Sequence, residues 1–396
     1  MENDRREDVA SMEPLLLRED ALGRGELVDS ALDLAAKSAA LHSALPPGVA
    51  DAIAEVVRSM NCYYSNLIEG HDTHPIDIER ALSEDYSADA RRRNLQLEAR
   101  AHIEVQAWLD RGGMDVRATT REGLTEIHRR FCGRMPRELL VATDPQSDEQ
   151  VAVVPGELRQ RDVIVGRHVA VSPGAVPRFL ERFEAVHARL GRMERILAAA
   201  TAHHRLLWIH PFLDGNGRVA RLMSHAMLSE ALGAGGLWSV CRGLARREAE
   251  YKGLLGNCDL PRRHDTDGRG NLSEEALIAF CRFFLATCID QVEFMTRLID
   301  PQGLRERIVA WTQVEIAASR LPPRSDRIFD ALLLQGELPR GSVATLLGTG
   351  SRQARRLTAA LMARGTITAR STRAPLRLAV PAALLEQWLP NAFPRI

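Results

Sequence analysis

The stretch His210-Pro211-Phe212-Leu213-Asp214-Gly215-Asn216-Gly217-Arg218-Val219-Ala220-Arg221 constrains the rest of the chain more than any other. A helical run, Ala198 to Ile209, leads into it, and a second, Gly217 to Leu232, leaves it. Two helices must therefore meet at a tight glycine turn, and the second must begin with bare backbone. The first N–H groups of a helix have no partner inside it, and glycines let an anion come close to them. Asp214 stands just before the turn and offers carboxylate oxygen to a divalent cation. Arg218 and Arg221 lie three residues apart, share a helix face and suit phosphate oxygens. His210 can act as a general base near neutral pH. Together these residues describe a phosphate and metal site with a base beside it.

The chain has 396 residues, enough for two or three domains. Hydrophobic residues make up 45% and charged residues 26%, as in soluble globular proteins. Fifty-two basic residues balance 52 acidic ones, so no global field draws the chain to nucleic acid or membrane. Six cysteines, without a C-x-x-C pair, fall mostly in apolar helical stretches. That usage points to a reducing compartment and away from a disulfide framework or zinc site. Met1 to Val9 is charged and has no apolar core, and no apolar run reaches membrane-spanning length. The expectation is a cytoplasmic protein.

Spacing then assigns helices. Ile53, Val56, Val57, Met60 and Tyr64 form a stripe that runs into Ser65-Asn66-Leu67-Ile68-Glu69-Gly70, where Gly70 is a natural stop. A proline-initiated helix is expected over 75–82, and further helices over 87–111, 119–133, 174–190, 193–209, 246–257 and 274–299. His128 reads as a packed histidine, and His203, His204 and His210 lack the spacing of a metal triad. Residues 151–159 and 162–166 are short, β-branched and glycine-bounded, and read as a small extended excursion or hairpin. Asp265 to Asn271 fails the calcium-loop pattern and reads as a polar turn ending at a Ser273 cap. Residues 1–45 receive no firm element.

The twelve-residue stretch resembles the signature of the Fic family, H-P-F-x-(D/E)-G-N-G-R-x-x-R, at every defined position. Ser65 to Gly70 is similar to the family's inhibitory motif, (S/T)-x-x-x-E-(G/N). The resemblance implies an all-α Fic core with a small β-hairpin flap. It implies protein adenylylation, in which AMP passes from ATP to a Ser, Thr or Tyr hydroxyl of a target protein. His210 would be the base. Asp214 would hold Mg²⁺, and the backbone of Gly215, Asn216 and Gly217 would form the anion hole. Arg218 and Arg221 would take the β- and γ-phosphates. Tyr251 and Asn257 would lie near the nucleotide base and ribose. Val163, Ile164 and Val165 would form the flap that pairs with the target. Glu69, with Ser65, would claim Arg221 and hold the site off. The same site could instead remove AMP, with Glu69 placing a water. Gly217 followed by Arg218 departs from the kinase-like relatives and favours AMP transfer. A homodimer is compatible with the pattern.

Pro322-Pro323 marks a boundary. Beyond it, three short helices (324–334, 340–347, 351–364) and two strand-like runs (366–370, 373–380) form a winged helix-turn-helix pattern. Residues 324–396 hold eleven Arg against four acidic residues, a net of +7. DNA contact and a protein-docking role both fit this module. The division expected is therefore 1–48 as an N-terminal extension, 49–112 as a helical region carrying the inhibitory helix, and 113–300 as the catalytic core. A linker helix follows at 301–323, then the C-terminal winged helix-turn-helix domain at 324–396. A DNA-binding regulator using the core as a nucleotide sensor is the alternative from a different class.

Overall fold

The structure, a computed structural model, describes residues 3–143, 149–233 and 236–394. Its first long element, α1 (Arg24–Ser43), lies where the sequence reading assigned none. Leu27, Ala31, Leu34 and Leu41 are buried along one face of α1, and the helix packs against the long core helix described below. The segment before α1 is ordered too. Leu15 is buried, and the buried Arg205 donates to the Pro14 carbonyl at 2.9 Å.

The next helices begin where local chemistry starts them. Pro47 opens α2 (Pro47–Ile68) and Pro75 opens α3 (Pro75–Leu82), places where a missing N–H costs nothing. Asp89 caps α4 (Ala90–Asp110) and Thr120 caps α5 (Arg121–Cys132), each side chain accepting an N–H of the first turn. Two hairpins follow where one small extended excursion or hairpin was expected. Strand β1 (Val141–Thr143) pairs with β2 (Gln150–Ala152), and β3 (Ile164–Val165) pairs with β4 (His168–Val169), both antiparallel. Residues 151 and 164 thus find different partners, which their β-branched character alone could not distinguish.

The glycine turn from His210 to Gly217 sits among α6 (Val176–His187), α7 (Arg192–Ile209), α8 (Asn216–Leu232), α9 (Val240–Arg246), α10 (Glu248–Cys258) and α11 (Glu274–Leu298). Helices α7 and α8 make the most extensive helix pair, and nearly the whole circumference of each is buried. Helix α11 places Phe280 and Phe284 under them. The helix expected over 246–257 is present as α10, which begins after Arg247, and α9 precedes it where no helix was assigned. The polar turn before α11 is as expected. Asp267 accepts from Ser273, Glu275 N–H and Arg263 N–H, and Ser273 caps α11.

The C-terminal region comprises α12 (Pro301–Ala317), α13 (Ser325–Gln335), β5 (Glu337–Leu338), α14 (Val343–Leu347), α15 (Ser351–Ala363), β6 (Ile367–Thr368), β7 (Leu376–Leu378) and α16 (Leu385–Trp388). Its sheet is antiparallel with order β5-β7-β6. Trp311 of α12 packs edge-on against Phe329 and Trp388, at 6.0 and 5.2 Å between ring centroids. Helix α12 therefore shares the core of this region. The region also grips α2 from behind. The Tyr64 hydroxyl donates to the Ala392 carbonyl at 3.0 Å, and Arg377 pairs with Asp51. A Cβ on Gly48 would fall 2.1 Å from the Gly336 carbonyl oxygen, so only glycine fits where the two meet. Among the described residues, no helix is long and apolar enough to cross a membrane.

Candidate active site

Helix α7 ends at His210, whose backbone turns left-handed (φ 52°, ψ 60°). That conformation costs a non-glycine residue about 1–2 kcal/mol, so the surroundings must hold it. Arg159 does so. It is 3% exposed and has no acidic hydrogen-bond partner among the described residues. Its guanidinium donates to the carbonyls of His210 (2.7 Å), Arg161 (2.8 Å), Ile209 (3.4 Å) and Val171, while its own N–H reaches the Pro211 carbonyl at 2.9 Å. Carbonyls at a helix C-terminus carry partial negative charge, which suits a buried cation.

The His210 ring is set by one contact. Its Nδ1 lies 3.3 Å from the Leu207 carbonyl, which can only accept, so Nδ1 carries the proton and Nε2 is left as an acceptor. Burial pushes its pKa down to about 4; the Leu207 carbonyl opposes the shift and the charge on Arg159 adds to it. The imidazole is therefore neutral at neutral pH.

His128 supports the same turn from below. Its ring stacks on Phe212 with centroids 4.0 Å apart and planes 2° apart. Nδ1 accepts from Gly156 N–H at 2.8 Å, so Nε2–H faces the Asp214 carbonyl at 3.2 Å. Burial holds its pKa at about 4. Asn216 completes the brace. Its amide accepts from Phe212 N–H at 3.0 Å and donates to the Phe212 carbonyl at 2.8 Å. The Asn216 side chain thus shapes the turn, and any anion contact falls to its backbone. Gly215 is left-handed (φ 81°), and α8 starts with no capping side chain. The N–H groups of its first turn are open to an anion.

Beside that helix start, Arg221 is 2% exposed and turned toward α2. It donates to the Ser65 hydroxyl at 2.8 Å and the Ser65 carbonyl at 3.3 Å, and it forms an ion pair with Glu69. Burial works against the Glu69 anion, but Arg221, Arg218 and the hydrogen bond from Arg221 outweigh it and hold its pKa at about 2. Gly217 makes room for this pair. A Cβ there would sit 2.5 Å from Glu69 Oε1.

Arg218 is engaged as well, by residues that sequence reasoning missed. It is buried and pairs with Glu98 of α4, with His71 Nδ1 at 3.2 Å. Glu98, 2% exposed, also meets His71 Nδ1 at 2.8 Å. The Glu98 hydrogen bond raises the His71 pKa against the effect of burial. Arg218 Nε is buried without a partner among the described residues. A cavity of about 200 Å³ opens here, walled by Glu69, His71, Glu98, Asp214, Gly215 and Arg218. Asp214 is exposed, and its carboxylate has no hydrogen-bond partner among the described residues.

Two candidate residues lie elsewhere. Tyr251 is buried, with its hydroxyl 2.7 Å from His203 Nε2, and burial raises its pKa. His203 in turn contacts Ser224 of α8. Tyr251 thus belongs to the packing beneath Arg221 and does not line the cavity. Asn257 is exposed on α10 and does not line it either. Among the residues expected to form a flap, Ile164 and Val165 are exposed on β3, with Val163 half-buried just before it. His168 of β4 ties the hairpin to the Trp208 carbonyl at 2.7 Å. Among the described residues, no cluster of three or more His, Cys, Asp or Glu could hold a metal ion.

Comparison with known proteins bears on this geometry. Residues 118–228 match the model of the Fic/DOC family. Over 116 residues the chain is 35% identical to Protein adenylyltransferase Fic of Drosophila ananassae, covering 28% of this chain and 20% of that protein. Over 114 residues it is 38% identical to the protein of the same name from Culex quinquefasciatus, with the same coverage. The match thus spans about a fifth of those relatives' length. In solved structures, a Fic domain containing signaling protein from Bacteroides thetaiotaomicron aligns with a TM-score of 0.50 and 20% identity, over 67% of this chain and 95% of that one. That likeness concerns the fold.

Proposed function

Because the chain carries a Fic/DOC family domain at residues 118–228, we propose that it is a protein adenylyltransferase. It moves AMP from ATP to a Ser, Thr or Tyr hydroxyl of a target protein or of itself. His210 Nε2 takes the proton from that hydroxyl, the oxygen attacks the α-phosphorus, and pyrophosphate leaves. The observation that carries this reading is a neutral histidine whose Nε2, like the start of α8, meets no side-chain partner among the described residues. The open N–H groups of Gly215 to Gly217 receive phosphate oxygens. Arg218 and Arg221 receive the β- and γ-phosphates. Work of this kind rests on positioning and on charge placed in advance.

Asp214 fits Mg²⁺, because a carboxylate at the cavity edge with no hydrogen-bond partner among the described residues is a donor for a hard cation that takes its other ligands from phosphate and water. The ion would supply charge neutralisation to the triphosphate. In the resting protein Glu69 holds Arg221, and the site is off. Val163 to Val165 offer an exposed edge for pairing with a target segment, which registers a hydroxyl without demanding much sequence.

The reaction type is tested with two labels. ATP labelled at the α-phosphate should mark protein, and ATP labelled at the γ-phosphate should not. Transfer of the γ-label would show kinase chemistry and end this reading.

Arg159→Met should lower the rate of AMP transfer about 100-fold while changing nucleotide affinity less than threefold, since loose placement of a catalytic group costs about that much. It also strands carbonyls of Val171, Ile209 and His210, at about 1–3 kcal/mol each. Single-turnover rates and nucleotide titration on the same sample separate the two effects. An unchanged rate in a folded variant would remove Arg159 as the residue that places His210.

A further inference from the structure

The chain as a whole is neutral, yet residues 324–396 carry a net of +7. The structure shows where that charge is left unspent. Several arginines of this region are tied up. Arg364 pairs with Glu315, Arg377 with Asp51 and Glu337, and Arg340 donates to the Ala374 carbonyl. Arg327 is exposed on α13, and five others, Arg352, Arg355, Arg356, Arg370 and Arg373, are exposed on α15 and in the loop after β6. Among the described residues their side chains have no ion pair and no hydrogen bond.

These five are not scattered. Arg352, Arg355 and Arg356 stand at i, i+3 and i+4 of α15 and so share one face. The opposite face buries Ala354, Leu357, Thr358 and Leu361, which fixes the helix in the module. Helices α14 and α15 are joined by Gly348-Thr349-Gly350, the short glycine turn of a helix-turn-helix. Arg370 and Arg373 lie in the loop between β6 and β7.

We propose that α15 and the β6–β7 loop form a binding surface for duplex DNA, with α15 in the major groove and the loop arginines on the flanking backbone. The shape selects this partner. The major groove of B-form DNA admits an α-helix, whereas that of A-form RNA is too deep and narrow for side chains to read. Single-stranded nucleic acid is held on exposed aromatic rings. Here Phe329 and Trp388 are fully buried, and neither α15 nor the loop carries an aromatic residue. A protein partner calls for an apolar or aromatic anchor at the centre of the contact. The N-terminal half of α15 instead exposes Arg352, Gln353, Arg355 and Arg356, and the exposed Met362 stands apart from them near the C-terminus of the helix, with Arg340 on its sulfur. Arg and Gln are side chains that read base edges bidentately.

The test is fluorescence anisotropy of the full chain with a labelled random-sequence duplex of about 20 base pairs, at several salt concentrations. Non-specific dissociation constants near physiological salt should fall at about 10⁻⁴–10⁻⁶ M. Three to five neutralised phosphates give a slope of log K on log salt of about −2.7 to −4.5. The variant Arg352→Ala/Arg355→Ala/Arg356→Ala leaves the buried face of α15 intact. It should bind at least tenfold more weakly, with a slope shallower by about 2–3, at an unchanged thermal transition. Arg370→Ala/Arg373→Ala, which touches no helix, should weaken binding in the same direction. Absence of salt-dependent binding would overturn the proposal. So would a triple variant with wild-type affinity and slope, tighter binding of a single strand, or displacement of DNA by polyglutamate at equal charge, which would mark an acidic-protein surface.

Discussion

Glu69→Gly should raise AMP incorporation at least tenfold and, at the same time, make the nucleotide-free protein less stable. Both effects come from one ion pair. Arg221 is almost wholly buried and is held by Ser65 and Glu69. While Glu69 holds it, the γ-phosphate must displace a carboxylate to be bound. Removing that competitor by about 1.4 kcal/mol is already a tenfold gain. It also leaves a buried guanidinium without its counter-charge, which typically costs about 3–5 kcal/mol. The two Ser65 contacts remain, so a loss near 3 kcal/mol is expected. Mg²⁺ and ATP should return much of it in the variant, since ligand at a hundred times its dissociation constant stabilises by about 2.7 kcal/mol. Thermal unfolding with and without nucleotide reads this directly. A variant as stable as wild type, and no more active, would mean that the Glu69–Arg221 pair controls nothing.

The same pair sets a pH window. Glu69 titrates at about 2 in the folded chain against an ordinary 4.5. A depressed carboxylate contributes stability that is present above the unfolded value and is lost as pH falls through the folded one. The stability difference between wild type and Glu69→Gly should therefore be full above pH 4.5 and close as pH falls toward 2.

His210→Ala should lower transfer by a factor of about 100 to 10,000, the usual contribution of a positioned general base. Nucleotide affinity should hardly move, because the phosphate contacts are assigned to the α8 backbone and to Arg218 and Arg221. The pH profile carries a sharper signature. Only neutral imidazole accepts a proton, and His210 is held at about 4. The rate should therefore stay level as pH falls past 6, where an ordinary histidine would lose it, and decline only toward 4. Persistent transfer in His210→Ala would place the base elsewhere. An acid limb near 6.5 in the wild type would contradict the half-buried, neutral ring.

Much of this site could be read from residue order. The glycine turn between two helices, the carboxylate before it and the two arginines after it are local features. The meeting of Ser65, Glu69 and Arg221 is not local, yet it was expected because both partners lie in patterned motifs. What escaped notice has a common physical cause. Among the described residues the Arg159 side chain bonds only backbone carbonyls, and no spacing of side chains announces that. Glu98 looks like any polar helix residue until the fold sets it against Arg218. Tyr251 offered an aromatic ring at a helix position, but whether that ring faces a ligand or a core depends on where α11 packs. The two hairpins differ only in long-range pairing. Helix α1 did carry a signal, in the spacing of Leu27, Ala31, Leu34 and Leu41, and the surrounding charge obscured it. In the C-terminal region short helices and strands were visible in the sequence. The grip of that region on α2, through Gly48, Asp51 and Tyr64, was not.

The central claim is that this chain transfers AMP at His210 and is restrained by Glu69. It is tested most directly by incubating wild type, Glu69→Gly and Glu69→Gly/His210→Ala with Mg²⁺ and ATP labelled at the α-phosphate, and counting label on protein. The account predicts faint labelling of wild type, labelling at least tenfold stronger for Glu69→Gly, and none above background for the double variant. Equal labelling of wild type and Glu69→Gly, or undiminished labelling of the double variant, would contradict it.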